Sequence, residues 1–159
     1  MNSQLITSWG EHQSYLQKIL LLATRDLRIF DENLSKLELE KIENEFFLRR
    51  FLSSSRQNML QIVLKDSSQL QRYSPRLMKL FYDYPENMKV YECPPHMSTP
   101  KDLMVLADAH HALIRFDKDN VRSKAIIDNS QECRIYILRF DDVLKSGVIT
   151  PVSATVFGL

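Results

Sequence analysis

Apolar residues in the first half of the chain recur alternately at helical and at strand spacing. From Trp9 to Thr24, Tyr15, Ile19 and Leu22 fall on one face at helical spacing, which predicts an amphipathic helix. The next apolar segments predict a short strand, a long helix and a buried strand, over Leu27–Phe30, Ser35–Leu52 and Met59–Leu64. This alternation of helices and strands is typical of an α/β protein.

Local signals refine the helix starts and extend the alternation to residue 147. Ser35 followed by Glu38 has the pattern of a capping box, so the long helix is expected to begin there. Pro75 suits the first position of a helix that begins near Ser74. The remaining predicted elements are four strands and a last helix, over Met88–Cys93, Leu103–Ala107, Ala112–Phe116, Ser123–Ile127 and Gln131–Lys145. Asp108–His111, between two of these strands, indicates a hairpin.

The whole pattern predicts one α/β domain, with a mixed β-sheet flanked by helices, over residues 1–159. Its core is expected to span about residues 19–147, followed by an uncharged, apolar tail over 148–159 that packs on the body or on a second subunit. The chain has 159 residues, of which 44% are hydrophobic. That length and composition fit a single hydrophobic core.

Charge and cysteine content narrow the class of protein. The chain has 21 Lys and Arg against 20 Asp and Glu, so bulk charge gives no attraction to nucleic acid or to an acidic membrane. A local basic patch stays open. Apolar runs fall short of the roughly 18 residues of a membrane span, and the N-terminal segment lacks a signal-peptide core. With only two cysteines, we expect a protein of a reducing compartment, located in the cytoplasm and not associated with a membrane.

Three segments combine an apolar strand with acidic residues in a particular order. They are Leu60–Asp66, Lys101–Asp108 and Lys124–Asp128, the last followed by a helix that ends near Leu144. In this order they resemble one half of the phospholipase D-like superfamily, over about residues 19–147. The chain is also similar to an uncharacterised bacterial family of degenerate relatives of that fold. The resemblance implies a phospholipase D-like fold, with Lys101–Asp108 as its signature strand.

Active members of the superfamily carry His-x-Lys-x-x-x-x-Asp on that strand. The histidine attacks the phosphodiester and the lysine neutralises the charge that builds on phosphate oxygens. In this chain Lys101 takes the histidine position, Leu103 takes the lysine position and Asp108 is retained. The downstream Gly-Ser segment should fall at Arg115–Phe116 and is not there. The resemblance therefore implies a degenerate site, and no catalytic residue is assigned.

A second register of the motif starts at His110 and ends at Asp117. It places Ala112 at the lysine position, so this motif is also incomplete. It leaves too little chain for the following pair of strands. The register that ends at Asp108 is therefore favoured.

Metal and cofactor sites find little support in the sequence. Cys93-x-x-His96 has the spacing of zinc ligands, but the adjacent His110 and His111 would point to opposite faces of an extended segment. The three glycines form neither a P-loop nor a dinucleotide fingerprint. We expect inert cysteine thiols, no metal and no cofactor.

Two groups of basic residues remain. Arg49, Arg50 and Arg56 lie near the end of the long helix, and a second helix carries basic residues at helical spacing. The members of that second group are Arg72, Arg76 and Lys79. Both groups are expected to be solvated faces, with contact to phosphates as the alternative.

The leading functional hypothesis is a non-catalytic phospholipase D-like module for binding or scaffolding, acting as a homodimer or with a protein partner. The alternative is a phosphodiesterase or nuclease-type enzyme with a rebuilt site, in which His110 or His111 acts beside Arg115 or Arg122. These four residues are the candidate ligand-binding residues. A third hypothesis is a nucleic-acid accessory protein, which neutral net charge does not favour.

Overall fold

The chain folds around one mixed β-sheet, and the computed structural model describes residues 3–153. The strands within this range are β1 (Ser3–Ile6), β2 (Asp26–Asp31), β3 (Met59–Leu64), β4 (Met88–Glu92), β5 (Leu103–Ala107), β6 (His111–Arg115), β7 (Ser123–Ile126) and β8 (Thr150–Pro151). The helices are α1 (Trp9–Leu22), α2 (Ile42–Ser54), α3 (Leu70–Tyr73), α4 (Pro75–Asp83) and α5 (Ser130–Leu144). The predicted α/β architecture with a mixed sheet is confirmed.

Strand order in the sheet is β1-β7-β6-β5-β2-β3-β4-β8. Strands β2, β3 and β4 are parallel, whereas β5 runs antiparallel to β2 and is followed by the antiparallel strands β6, β7 and β1. We call the end of the sheet where β2, β3 and β4 finish the carboxyl edge, and the other end the amino edge. Because β5 is antiparallel to β2, it begins at the carboxyl edge, where β6 also ends.

Helices cover both faces of the sheet, which explains why the strands read as continuous apolar runs. Helix α1 packs on β5, β6 and α2, while α5 packs on β5 and β6. Alternate residues of β5 divide between the two cores: Val105 joins the core beneath α1, whereas Met104 and Leu106 join the core beneath α5. The two helices therefore lie on opposite faces of the same strands.

The start of the long helix differs from the prediction. Helix α2 begins at Ile42, and the preceding residues form turns in which Leu34 and Glu38 have positive φ angles of 72° and 53°. The expected capping box at Ser35 is therefore wrong. Tertiary hydrogen bonds decide the outcome, since the Asp31 carboxylate accepts from the Leu34 N–H and the Asn44 side-chain amide donates to the Glu38 carbonyl.

Three short elements were not predicted from the sequence. They are β1 in the polar N-terminal segment, the single turn α3, and β8, which pairs with β4. The predicted tail extends beyond residue 153 and so lies partly outside the described residues. Within residues 3–153, none of the helices combines the length and the apolar character that crossing a membrane requires.

Candidate functional site

The candidate residues lie at two opposite edges of the sheet. Asp108, His110 and His111 lie at the amino edge, in and beside the hairpin between β5 and β6. Lys101 and Arg122 lie at the carboxyl edge, in the segments just before β5 and β7. Four residue steps along β6 separate His111 from Arg115, a distance of roughly 13 Å at strand geometry. The structure therefore does not bring the histidines and the arginines to one pocket.

The Asp108 side chain binds the backbone at the start of β2. Its carboxylate accepts hydrogen bonds from the N–H groups of Thr24, Arg25 and Asp26 at 3.0, 2.8 and 3.0 Å, and from the Thr24 hydroxyl at 3.1 Å. Partial burial opposes the charged form, but these hydrogen bonds outweigh it and hold the pKa of Asp108 below its ordinary value. Asp108 is occupied in joining the hairpin to β2.

The two histidines also make structural contacts. The Nδ1 atom of His111 accepts a hydrogen bond from the Asp128 N–H at 2.9 Å, and the His110 carbonyl accepts one from Asn129. Partial burial lowers the pKa of His111, which favours the neutral ring. His110 itself is exposed. The pair thus ties the hairpin to the start of α5.

A cleft opens at the carboxyl edge around Lys101. Two adjoining cavities of about 440 and 400 Å³ share Lys101 and Asp117 in their walls. The cationic groups lining the cleft are Lys65, Lys101, Lys118 and Arg122. The acidic groups are Glu32, Asp117 and Asp119. The cleft has a formal charge of +1 from these seven side chains, so it can accommodate an anionic group beside Lys101.

Two cations of the cleft lie over aromatic rings, Lys65 over Phe30 and Arg122 over Phe116. The Arg122 contact adjoins Lys101. The Arg122 guanidinium carbon lies 5.6 Å from the centroid of the Phe116 ring. Both side chains line the same cavity as Lys101. The cation–π contact holds the guanidinium at the mouth of the cleft without neutralising its charge.

Beneath the cleft lies an ion pair that the sequence analysis did not identify. The Arg115 guanidinium donates to the Asp31 carboxylate at 3.0 Å, and both side chains are almost fully buried. Burial raises the pKa of Asp31 although the Arg115 charge and the Leu34 N–H oppose the rise. Leu103 lines the same small enclosed space and is only 2% exposed. Arg115, a candidate ligand-binding residue, is therefore a buried partner of Asp31.

His12 of α1 completes this buried cluster. It is 1% exposed, and neither ring nitrogen has a hydrogen-bond partner within residues 3–153. Burial and the positive charge of Arg115 lower the pKa of His12 to about 4, so the ring is neutral at ordinary pH. The Trp9 ring lies edge-on to His12 at 5.3 Å and also contacts the Arg115 guanidinium.

One sequence signal could have identified His12. It precedes Leu16, Ile19 and Leu20 by four, seven and eight positions, so it belongs to the buried face of α1. Asp31 carries no comparable signal, because Asp31-Glu32-Asn33 reads as an ordinary turn after a strand.

Two residues of the predicted basic groups, Arg49 and Lys79, are engaged in ion pairs. Arg49 lies 2.8 Å from Glu45 and 3.1 Å from Asp83, which also pairs with Lys79. Arg76 donates to the backbone carbonyl of Glu40. These contacts leave less cationic surface for phosphates than the sequence indicated.

Both cysteines are buried, and burial raises the pKa of Cys133 to about 11 and that of Cys93 in the same direction. Each thiol is therefore protonated at neutral pH and a poor nucleophile. Across residues 3–153, His, Cys, Asp and Glu side chains do not form a group of three suited to a metal ion.

The chain matches one known protein family over most of its length. The sequence profile of a domain of unknown function, DUF7931, matches residues 9–151. The chain belongs to this family. In sequence, no curated protein matches it significantly.

Solved structures reveal the fold that this DUF7931 chain shares. It superposes on TrmBL2, an archaeal chromatin protein with a novel mode of DNA binding, with a TM-score of 0.66 at 10% identity, covering 92% of this chain and 53% of that one. The superposition on NucT from Helicobacter pylori has a TM-score of 0.62 at 12% identity and covers 94% of this chain and 98% of NucT. The superposition on phosphatidylserine synthase from Haemophilus influenzae Rd KW20 has a TM-score of 0.65 at 11% identity and covers 96% of this chain and 39% of the synthase. The fold is phospholipase D-like, and the chain spans about half or less of two of these relatives.

Proposed function

We propose that this chain is a non-catalytic phospholipase D-like module that binds an anionic ligand in the cleft around Lys101. The observation that carries the proposal is the burial of Leu103, which takes the place of the charge-neutralising lysine in the family motif. An alkyl side chain cannot stabilise a negative phosphate oxygen in the transition state. Lys101 stands in the place of the attacking histidine, and a lysine amine is a poor substitute for an imidazole nucleophile.

The retained Asp108 supports the same proposal. Its carboxylate accepts four hydrogen bonds from residues 24–26 at the amino edge, at the far end of β5 from Lys101. A residue with a structural role keeps that role when chemistry is lost. The motif position that survives here is thus the one that stabilises the hairpin.

The residues that line the cleft support the binding of an anion beside Lys101, where the family motif has its attacking histidine. Lys101 and Arg122 line one cavity, and Lys65 and Lys118 line the adjoining one. Ammonium and guanidinium groups are suited to phosphate or carboxylate oxygens. Asp117 and Asp119 reduce the total positive charge, which favours a small anionic group over a long polyanion.

Pairing with a second copy of the chain is part of this proposal. The phospholipase D-like resemblance implies two halves that meet about a two-fold axis, and this chain supplies one half. The carboxyl edge, where the cleft opens, is the surface that such pairing would use. Equilibrium sedimentation of the full chain tests it: a dimer is expected, and a monomer at all accessible concentrations would contradict it.

A hydrolysis assay tests the absence of catalysis. We expect the purified chain to leave bis(p-nitrophenyl) phosphate intact, and the Lys101→Ala variant to behave identically. Turnover that disappears in Lys101→Ala but persists in Lys145→Ala, a change at an exposed lysine after α5, would contradict the proposal. Turnover shared by these three proteins but lost in His110→Ala or His111→Ala would also contradict the proposal, in favour of a rebuilt histidine site.

A titration with inorganic phosphate tests binding separately. Backbone amide NMR signals of residues near Lys101 and Arg122 are expected to shift, and the shifts are expected to disappear in Lys101→Ala and Arg122→Ala. The Lys145→Ala variant should bind like the parent protein. Shifts that survive both cleft substitutions would place the anion elsewhere and overturn this part of the proposal.

The enzyme and nucleic-acid hypotheses have weaker support. A rebuilt histidine site would need His110 or His111 beside an arginine, whereas Arg115 and Arg122 lie at the other edge of the sheet. The near-neutral net charge does not favour a nucleic-acid interface, and Arg49 and Lys79 of the basic groups already pair with Asp83. Low-salt DNA binding that weakens steeply with added salt would favour the nucleic-acid hypothesis instead.

A further inference from the structure

A cavity of about 600 Å³ lies at the carboxyl edge, separate from the cleft around Lys101. Its walls are the loop over residues 33–41, which follows β2, and the segment around α3, which follows β3. It shares none of its lining residues with the two cavities of the cleft. Its volume is in the range of small-molecule sites, and crevices at the carboxyl ends of parallel strands commonly hold ligands.

The loop that forms one wall is strained at two positions. Leu34 and Glu38 are non-glycine residues with positive φ angles of 72° and 53°. For a leucine this conformation is unfavourable and needs support from surrounding contacts. The Leu34 N–H donates to the buried Asp31 carboxylate at 2.8 Å, so the ion pair beneath the cleft fixes this loop as well.

Hydrogen bonds from three helices hold the rest of the loop in place. Gln13 of α1 donates to the Leu37 carbonyl at 2.8 Å, and Asn44 of α2 donates to the Glu38 carbonyl at 2.8 Å. The Glu40 carboxylate accepts from the first N–H groups of α4, at 3.1 and 2.8 Å. The cavity is therefore preformed, which reduces the entropy that a ligand would lose on ordering it.

The wall combines apolar surface, an aromatic ring and three ionisable side chains, Glu38, Glu40 and Lys41, with a formal charge of −1. Leu34 and Leu39 are buried beneath the cavity, whereas the Tyr73 ring is 61% exposed at its rim. Glu38 pairs with Lys41 at 3.6 Å, and Glu40 is engaged by α4. The net negative charge disfavours an anionic ligand, and both carboxylates already have partners.

Neutral polar groups complete the wall. The side chains of Ser35, Gln69 and Ser74 line the cavity and make no hydrogen bond within residues 3–153. They can donate and accept hydrogen bonds to a ligand. The Arg72 guanidinium lies over the exposed Tyr73 ring, 5.8 Å from its centroid, which leaves one flat face on which another ring can stack.

We propose that this cavity binds a neutral, planar ring compound with hydrogen-bonding groups at its edge. The ring would stack on Tyr73 above the leucine surface, and its edge would bond the amide of Gln69. The cavity would thus serve as a second site beside the anion-binding cleft, with a different class of ligand.

Titration of the full-length chain with adenosine, monitored by amide NMR signals, tests the proposal. We expect shifts at residues 33–41 and 69–74, and loss of affinity by at least about fivefold in Tyr73→Ala, the size typical of ring stacking. Tyr82→Ala is the matched control, because Tyr82 is 56% exposed on α4 and does not line the cavity. Gln69→Ala should also weaken binding, whereas Gln71→Ala, at a neighbouring exposed residue, should not.

Three results would overturn this inference. Adenosine could fail to shift signals at residues 33–41, or Tyr73→Ala and Tyr82→Ala could weaken binding equally. Glucose, a neutral but non-planar compound, could bind there more tightly than adenosine. Because adenosine carries no phosphate, its failure here is independent of phosphate binding at Lys101.

Discussion

Two aspartates, Asp108 and Asp31, lie at opposite edges of the sheet and show how differently one carboxylate can be used. Asp108 is half-buried and accepts four hydrogen bonds, three of them from backbone, which lower its pKa. Asp31 is 1% exposed, and burial raises its pKa although Arg115 pairs with it. The first is held by uncharged N–H and O–H donors at the start of β2, whereas the second has a single buried cation and the Leu34 N–H as its partners. The carboxyl edge is therefore the more fragile of the two.

The largest effect is expected from breaking the buried ion pair. Asp31→Asn leaves the Arg115 charge buried without a counter-charge, which should lower the free energy of unfolding by about 3–5 kcal/mol. Urea denaturation followed by circular dichroism measures the change. The double variant Asp31→Leu/Arg115→Leu should recover part of the loss, because it removes both charges. Asp142→Asn, at an exposed residue, is the control. If Asp31→Asn lowered the free energy of unfolding by no more than this control, the Asp31–Arg115 pair would not contribute to stability.

Acidification provides the next test, through His12. Its pKa is about 4 in the folded protein and about 6.5 when unfolded, so below pH 6.5 the unfolded chain binds the extra proton. Stability should fall as pH drops from 6.5 to 4, by about 3 kcal/mol in total. The His12→Leu variant should lose this slope in urea titrations at a series of pH values. The control His110→Gln, at an exposed histidine, should keep it.

A smaller loss is expected at the amino edge. Asp108→Ala removes four hydrogen bonds and places alanine at a φ of 57°, so unfolding should become easier by about 2 kcal/mol. Asp108→Asn should cost less, since asparagine tolerates this backbone conformation. The carboxylate contributes its stability above about pH 4, and this contribution disappears as pH falls through its lowered pKa. Equal losses in both variants would mean that backbone strain has no part in the effect.

The smallest effect on stability is expected at Lys101. It is exposed in the cleft, so Lys101→Ala should change the free energy of unfolding by less than about 0.5 kcal/mol. Thermal denaturation measures this. A large loss would mean that Lys101 holds the carboxyl edge together, and that its loss of phosphate binding could not be separated from unfolding.

Local sequence patterns were sufficient for most of the fold. The apolar runs at Met59–Leu64 and Leu103–Ala107 are strands as predicted, and Pro75 begins a helix as expected. Short elements were missed because β1 and β8 have few residues and depend on pairing with β7 and β4. The capping-box prediction at Ser35 failed because Asp31 and Asn44 provide alternative partners for the loop.

The candidate site was less predictable than the fold. Arg115 was expected to be a ligand-binding residue. In the folded chain its guanidinium is instead buried against Asp31. The two residues are 84 positions apart, and no spacing rule relates them. The cavity beside Tyr73 likewise depends on a loop whose shape is fixed by hydrogen bonds from three helices.

The sequence by itself determined the order of the longer helices and strands, because hydrophobic spacing and residue type are local properties. The tertiary structure alone decided which edge of the sheet each candidate residue occupies. It also decided that Asp31, rather than an external ligand, neutralises Arg115. The physical reason is that strand register sets which distant side chains meet, and burial then sets whether a charge is stabilised by a partner or left to bind one from outside.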